Sequence, residues 1–300
     1  MTIDVSVILV NYNTAGLTVT CLESIFEHTT GLNFEVIVVD NGSNDNSAEI
    51  IRKRFPQVLV MQLFHNIGFG RACNLGANQA DGQYLLMLNT DTILLNNAVK
   101  VLFDFYESHQ AENVGVIGGV LLNPDYTNGW SCNSFNSLSS IITWYYCRLC
   151  DTHRKSVNLV SNVHLERNEF IEVDFVTGAD MFIKKDLFIE VLGFDPNIFL
   201  YYEDELLQWH LKKIGKRNLI VGGVKIVHLE GGSQERSNVK VSNTKRIISE
   251  KSMFYYFRVT RGSSYKNYAK IIYFFVVALP MRVMYSFSEN KEYLRNYFKF

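Results

Sequence analysis

Polar and charged side chains recur in this chain directly after apolar runs. Asn11 and Asn13 follow the run 5–10, and Asp40 follows 34–39. Asn66, Gly68, Arg71 and Asn74 follow 58–64, and Asn89 and Asp91 follow 84–88. Later, Thr177-Gly178-Ala-Asp180 sits between apolar stretches, Glu203-Asp204 follows the aromatic Phe199-Leu-Tyr-Tyr202, and His228 closes the run 219–227. Amides, carboxylates and an arginine gathered in this way suit a ligand that is itself polar and charged. Each residue also has a simpler use. Asn and Asp favour turns, and acids in the first turn of a helix complement its dipole. Four successive runs ending alike favour one shared site over four separate turns.

The elements that must position these residues read as alternating β and α. The runs 5–10, 34–39, 58–64 and 84–88 are continuous and apolar, as in strands buried on both faces. Helical periodicity lies between them over 18–28, around Ile50, Ile51 and Phe55 with Ser43 or Asn44 as cap, and over 70–80. Such alternation predicts a mostly parallel α/β sheet flanked by helices, whose ligands lie beyond the carboxyl ends of the strands. No G-x-G-x-x-G follows the first strand and no G-x-x-x-x-G-K-[ST] occurs, which excludes the dinucleotide fingerprint and the P-loop. Further strands are expected at 114–122 and 219–227. A short helix capped by Asp186 should run to Gly193, and a longer one over 203–215. Residues 130–150 read as a loop or lid over a pocket, or equally as a surface insertion.

The 300 residues carry 29 Lys+Arg against 30 Asp+Glu, which excludes a globally basic nucleic-acid binder. The balance hides an asymmetry: residues 240–300 hold 12 basic side chains and 3 acids, a net charge of +9, leaving −10 on residues 1–239. Residues 1–239 are therefore read as an acidic body. Residues 240–300 are read as a basic, aromatic, helical segment. Its apolar stretch 271–281 is shorter than the ~20 residues needed to cross a bilayer. It is either a helix buried against the body or an interfacial helix that attracts anionic lipid. The five cysteines lack metal spacing beyond the pair Cys147 and Cys150, and read as ordinary thiols. With no basic and apolar leader at the N-terminus, a cytoplasmic location is expected, peripheral on the inner face of the membrane.

Eight stretches in order resemble glycosyltransferase family 2, nearest the bacterial polysaccharide enzymes described as rhamnosyltransferase-like. They are Val7-Ile-Leu-Val-Asn-Tyr-Asn13, Val38-Val-Asp-Asn-Gly-Ser43, Asn66-Ile-Gly-Phe-Gly-Arg-Ala-Cys-Asn-Leu-Gly76, Leu88-Asn-Thr-Asp-Thr92, Thr177-Gly-Ala-Asp180, Gly193-Phe-Asp195, Phe199-Leu-Tyr-Tyr-Glu-Asp204 and His228-Leu-Glu-Gly-Gly-Ser233. They cover about residues 3–235; the last sixty residues match loosely. The resemblance implies a GT-A nucleotide-sugar-binding fold over residues 1–239, a catalytic body with a nucleotide-binding half to about 110 and an acceptor half over 111–239. It also implies inverting transfer of a sugar from a nucleotide diphosphate sugar to a saccharide acceptor, possibly lipid-linked, in surface polysaccharide synthesis.

Residue by residue, the resemblance implies a metal site at Asp91 and His228 for Mg²⁺ or Mn²⁺, an ion that needs only one or two carboxylates besides phosphates and water. Asn89 stands where the strict D-x-D form has an acid. It implies donor contacts from Asn11, Asn13, Asp40, Asn66, Gly68, Arg71, Asn74, Asn89 and Asp91. Asp40 either accepts the imide N–H of uracil or thymine, or makes an Asx-turn onto Gly42. Gly68 permits close backbone approach, and Arg71 offers planar donors to a diphosphate or is an exposed helix residue. Asp204 is implied as general base with Glu203 beside it, and Thr177, Gly178, Asp180 and Tyr202 as the acceptor side. Leu206 and His210 depart from the family's polar positions. Together with Asn89 they motivate the alternative of a catalytically silent nucleotide-sugar-binding or scaffolding protein; a nucleotidyltransferase is a third reading. Trp209 reads as core packing.

Overall fold

The computed structural model describes residues 2–149, 160, 163–229, 242–282 and 285–299. Cys150 and the Gly231-Gly232-Ser233 part of the last motif lie outside the described residues.

In chain order the first half contains β1 (Val5–Asn11), α1 (Ala15–His28), β2 (Phe34–Asp40), α2 (Ser47–Arg54), β3 (Leu59–Gln62), α3 (Phe69–Gln79), β4 (Tyr84–Leu88), β5 (Thr92–Leu94), α4 (Ala98–Ser108) and β6 (Val114–Leu122). Then come β7 (Cys132–Asn133), α5 (Leu138–Leu149), β8 (Phe170–Val173), β9 (Phe175–Val176), β10 (Asp180–Lys184), α6 (Lys185–Glu190), α7 (Glu203–Lys213) and β11 (Arg217–His228). The C-terminal part contains α8 (Asn243–Arg261), α9 (Ser263–Tyr273), a π-turn Phe274–Ala278, α10 (Leu279–Met281) and α11 (Phe287–Tyr297).

The main sheet has nine strands in the order β3-β2-β1-β4-β10-β6-β11-β5, with β8 also paired to β11. β1, β2, β3 and β4 are mutually parallel where they pair, and β10 runs antiparallel to β4 and β6. Side chains alternate between the faces of this sheet. Val7, Leu9, Val36 and Val38 pack with α1, α2 and α4 on one side, while Ile8, Ile37, Val39 and Met87 pack with α3, α6 and α7 on the other. Both faces are thus covered, which explains why the strands read as unbroken apolar runs.

Residues 138–149 form helix α5 instead of a loop, and its Leu138 and Tyr145 enter a third core with Ile198, Leu206, α8, α9 and α11. Trp209 packs against the same cluster, and Leu206 is part of it. The inner face of the C-terminal segment is therefore packed on the body. Inside it Arg246 Nε donates to Glu250 Oε1 at 2.7 Å, Tyr273 donates to the same oxygen at 3.0 Å, and Arg282 donates to Asn243 at 2.9 Å. A buried pair of this kind adds little net stability but is costly to break, because one charge would be left unpaired.

Two expected caps differ. The cap of α2 is Asn46, in the left-handed region at φ 58°, because Ser43 is turned toward β1. Asp186 lies in the first turn of α6, whose cap is Lys184.

Candidate active site

β1 and β2 end in register, with Asn11 opposite Asp40. Asn11 Nδ2 donates to Asp40 Oδ2 at 2.7 Å and to Ser43 Oγ at 3.0 Å, while its Oδ1 accepts from the hydroxyls of Thr14 and Thr18. Asp40 Oδ1 accepts from Ser43 N at 3.0 Å. Asn11 and Asp40 are both 0% exposed, so here they tie two strand ends together beneath the rim. The turn made by Asp40 reaches Ser43, one residue beyond the expected Gly42. The side chains open to solvent are Asn13, at φ 55°, and Tyr12, which is 46% exposed. Tyr12 escapes a reading based on polar residues alone; its signal is an aromatic at the end of an otherwise aliphatic run.

The next loop is held from inside by Asn41, a strand-end residue for which the sequence suggests no particular role. Its Oδ1 accepts from Ile67 N at 2.9 Å, and its Nδ2 donates to Asn66 Oδ1 at 3.1 Å. Gly68 does permit a close approach, but of protein backbone: at φ +94° a Cβ there would lie 2.3 Å from Phe199 O. Arg71 Nε donates to Pro196 O at 2.6 Å, and the amide of Asn74 bonds both the N–H and the C=O of Phe194 at 2.9 and 2.8 Å. Gly68, Arg71 and Asn74 thus clamp α3 onto the 194–199 loop that leads into α7. The partners resolved for them are main-chain groups.

The end of β4 meets the end of β11 because β5 pairs with β11, placing His228 opposite Thr92. His228 Nε2 lies 3.3 Å from Asp91 Oδ1, both side chains being 18% exposed, and 3.5 Å from Asn89 Nδ2. Two ligands about 2.1 Å from one ion and at right angles to each other sit about 3.0 Å apart, so this pair fits a single divalent cation. Among the described residues no cluster of three His, Cys, Asp or Glu side chains is present. Further ligands would come from phosphate and water.

Asn89 N donates to Ala179 O at 3.0 Å, and Gly178 N donates to Asp204 Oδ2 at 2.9 Å. The turn 177–179 therefore links the Asp91–His228 pair to the start of α7. Two successive left-handed residues, Tyr201 at φ 68° and Tyr202 at φ 70°, aim that helix. For bulky residues this conformation costs about 1–3 kcal/mol each and is concentrated at functional sites.

The first turn of α7 carries Glu203, Asp204 and Glu205. Burial, together with the charge of Asp204, pushes the Glu203 carboxyl up to about 8, and Glu203 Oε2 has no hydrogen-bond partner. Asp204 is half-buried. Desolvation raises its pKa above the ordinary value, and the N–H groups of Glu205 and Gly178 partly oppose that. Burial pushes Glu205 up to about 7 even though it accepts from both the backbone and the side-chain N–H of Asn136. Gln208 bonds the N–H and C=O of Val176 at 2.8 and 2.7 Å, fixing α7 to the strand before the turn.

Two residues expected on the acceptor side have partners inside the protein. Asp180 is 0% exposed inside β10, with Oδ2 accepting from Gly119 N at 2.6 Å and its pKa raised well above the ordinary value by burial. The strand pleat turns it beneath the sheet surface. The Tyr202 ring packs 5.5 Å from that of Tyr256 in the third core. Thr177 is nearly buried, and Gly178 lies against Asp204.

The sheet, its polar rim and the flanking helices make this a GT-A fold. A mannosyltransferase from Pyrobaculum calidifontis, solved with GDP-Man and Mn²⁺, superposes with a TM-score of 0.57 over 97% of this chain and 78% of its own, at 16% identity. Residues 6–192 match the model of glycosyl transferase family 2, and the chain belongs to that family. It is 29% identical over 190 residues to glycosyltransferase GlyG of Streptococcus pneumoniae, a match covering 62% of this chain and 58% of that relative. It is 24% identical over 214 residues to the N-acetylglucosaminyl-diphospho-decaprenol L-rhamnosyltransferase of Mycobacterium tuberculosis, covering 67% of this chain and 68% of the relative.

Proposed function

We propose that the protein is an inverting glycosyltransferase that moves a sugar from a nucleotide diphosphate sugar to a saccharide acceptor in surface polysaccharide synthesis. The observation that carries this reading is the turn 177–179. It holds Asp204 through Gly178 N and the Asp91–His228 region through Ala179 O, so one donor sugar can lie between a base and a phosphate-side cation site. The nucleoside lies over the ends of β1 and β2, where Asn11, Asp40 and Ser43 fix the loop that presents Tyr12 and Asn13.

Asp91 and His228 would hold Mn²⁺ or Mg²⁺ together with the diphosphate. Mn²⁺ is the better match to an imidazole ligand and is the ion bound by the P. calidifontis neighbour. When bound, the ion offsets the negative charge of the departing nucleoside diphosphate. Asp204 accepts the proton of the acceptor hydroxyl as that oxygen bonds to the anomeric carbon and the bond from carbon to phosphate oxygen breaks. Glu203, kept neutral by burial, leaves Asp204 as the ionised member of the pair. A single base opposite a diphosphate fits displacement with inversion, and there is no need for the paired carboxylates of a glycoside hydrolase.

The departure at Leu206 is a core residue, and Asn89 faces His228. Neither lends support to the catalytically silent reading. The acceptor is proposed to be lipid-linked, in keeping with the name of the M. tuberculosis relative. The test is a thermal-shift screen of UDP-, GDP- and dTDP-sugars with Mn²⁺ and Mg²⁺, followed by transfer assays with any donor that binds. Stabilisation by one nucleotide class only with metal, and release of a nucleoside diphosphate on transfer, is expected. Release of pyrophosphate would overturn the reading.

A further inference from the structure

We infer that the outer face of α9, the π-turn, α10 and α11 is a docking surface for a bilayer of anionic phospholipid. The apolar stretch 271–281 is divided between two environments. Tyr273, Val277 and Ala278 are buried in the third core, while Ile271 and Phe275 are 61% and 63% exposed and Tyr268 and Leu279 are also exposed. These four recur every three or four residues, which places them along one stripe. Along α11 and onto its C-cap, Phe287, Lys291, Arg295 and Phe298 likewise recur at helical spacing, all exposed, with Phe298 at 68%.

The two stripes meet. Phe275 and Phe298 both line one groove of about 320 Å³, together with Ile271, Phe274, Tyr297 and Lys270. The Phe274 ring lies 5.3 Å from that of Phe275 and 5.7 Å from that of Phe298. Isolated exposed apolar residues need no explanation, but a continuous patch of this kind does.

Charge identifies the occupant. Lys291 and Arg295 stand on the exposed side of α11, and Lys299 is exposed just beyond its end. Of the three acids in this segment, Glu250 is buried beside Arg246, Glu289 closes the capping box of α11, and Glu292 alone is exposed. Aromatic and aliphatic side chains among exposed cations match the interfacial region of an anionic membrane. Among the described residues no helix is long and apolar enough to cross one. The groove suits part of one acyl chain. This inference is independent of the sugar-transfer reading.

The test is flotation of the full chain with vesicles of phosphatidylcholine alone or mixed with phosphatidylglycerol, at low and high salt. The wild type should float only with the anionic vesicles and less at high salt. Phe275→Asp with Phe298→Asp, and separately Lys291→Glu with Arg295→Glu, should each weaken binding at least about tenfold, with thermal unfolding unchanged because all four residues are exposed. Failure of the wild type to float, or unchanged flotation of folded variants, overturns the inference. So does sedimentation showing a stable dimer that the Phe275→Asp, Phe298→Asp protein lacks, which would make the face a contact between copies. Transfer to a soluble acceptor, measured in parallel, reports on the catalytic reading alone.

Discussion

His228 Nε2 lies 3.3 Å from Asp91 Oδ1 although the two residues stand 137 positions apart in the sequence (228 − 91). The contact exists because the short strand β5 pairs with the end of β11. Asp91→Ala and His228→Ala should each weaken Mn²⁺-dependent donor binding by at least about tenfold, a loss typical of damage to a metal site. Asn89→Asp should strengthen it by adding a third acidic or imidazole ligand beside the pair. Calorimetry of the nucleoside diphosphate with and without chelator checks both; equal affinity in all proteins would remove the cation from the account.

Asp204 is the half-buried carboxylate at the site, anchored by Gly178 N and Glu205 N. Asp204→Asn has the same outline and can keep one of the two N–H contacts, but cannot take a proton. Transfer should fall by about 10²–10⁴-fold, the usual worth of a general base, with donor affinity unchanged. Because burial raises the Asp204 pKa, kcat/KM should rise with pH above the ordinary aspartate range as the base ionises. A wild-type profile flat across the acid side would contradict the assignment.

Tyr12 presents an exposed ring at the end of β1, where a base can stack against it. Tyr12→Ala should weaken nucleoside diphosphate binding by about tenfold, in line with the ~1–3 kcal/mol of base–aromatic stacking. Its unfolding temperature should not change. Titration of the free nucleotide measures the effect directly, and undiminished affinity would place the base elsewhere.

Much of this was legible in sequence, for a physical reason. A parallel sheet covered on both faces needs continuous apolar strands, so β1, β2 and β4 and the polar residues at their ends stand out without any tertiary information. β6 runs over 114–122, as its apolar run predicts. What stayed hidden depends on long-range partners. Glu205 with Asn136, Gln208 with Val176, and Asn41 with Ile67 are pairings across loops, invisible to local periodicity. The three residues of β5 are too few to carry a period. The burial of Asp180 was hidden too, because strand β10 begins at that residue, so the pleat, and not the preceding turn, decides where its carboxyl points.

Gly68 is a place where space and backbone act together. At φ +94° an L side chain is strained, and its Cβ would press within 2.3 Å of Phe199 O. Gly68→Ala should therefore destabilise the fold by about 2–4 kcal/mol, within the range for steric and backbone conflicts. It should also displace the 194–199 loop that Arg71 and Asn74 hold against α3. Denaturant titration measures the first effect, and loss of transfer beyond the loss of folded protein measures the second. A fully stable, fully active Gly68→Ala would show that the clamp has no part in positioning α7.

Glu203 links stability to pH in a direction opposite to that of an ion-paired carboxylate. Burial and the neighbouring Asp204 charge raise its folded value from 4.5 to about 8. A carboxyl raised in this way contributes stability that is complete below its unfolded value and is lost as pH rises through the folded one. Between about pH 4.5 and 8 the folded chain holds this proton more tightly than the unfolded chain does, so this group makes stability fall with rising pH. Glu203→Gln retains the neutral shape and removes the proton linkage. At pH 8 it should be more stable than the wild type, by on the order of a few kcal/mol, and unfold at a higher temperature, whereas near pH 4.5 the two proteins should converge. Calorimetric unfolding at several pH values measures the slope. Parallel curves for wild type and variant would mean that Glu203 ionises in the fold as freely as in the open chain, and Asp204 would then lose its neutral neighbour.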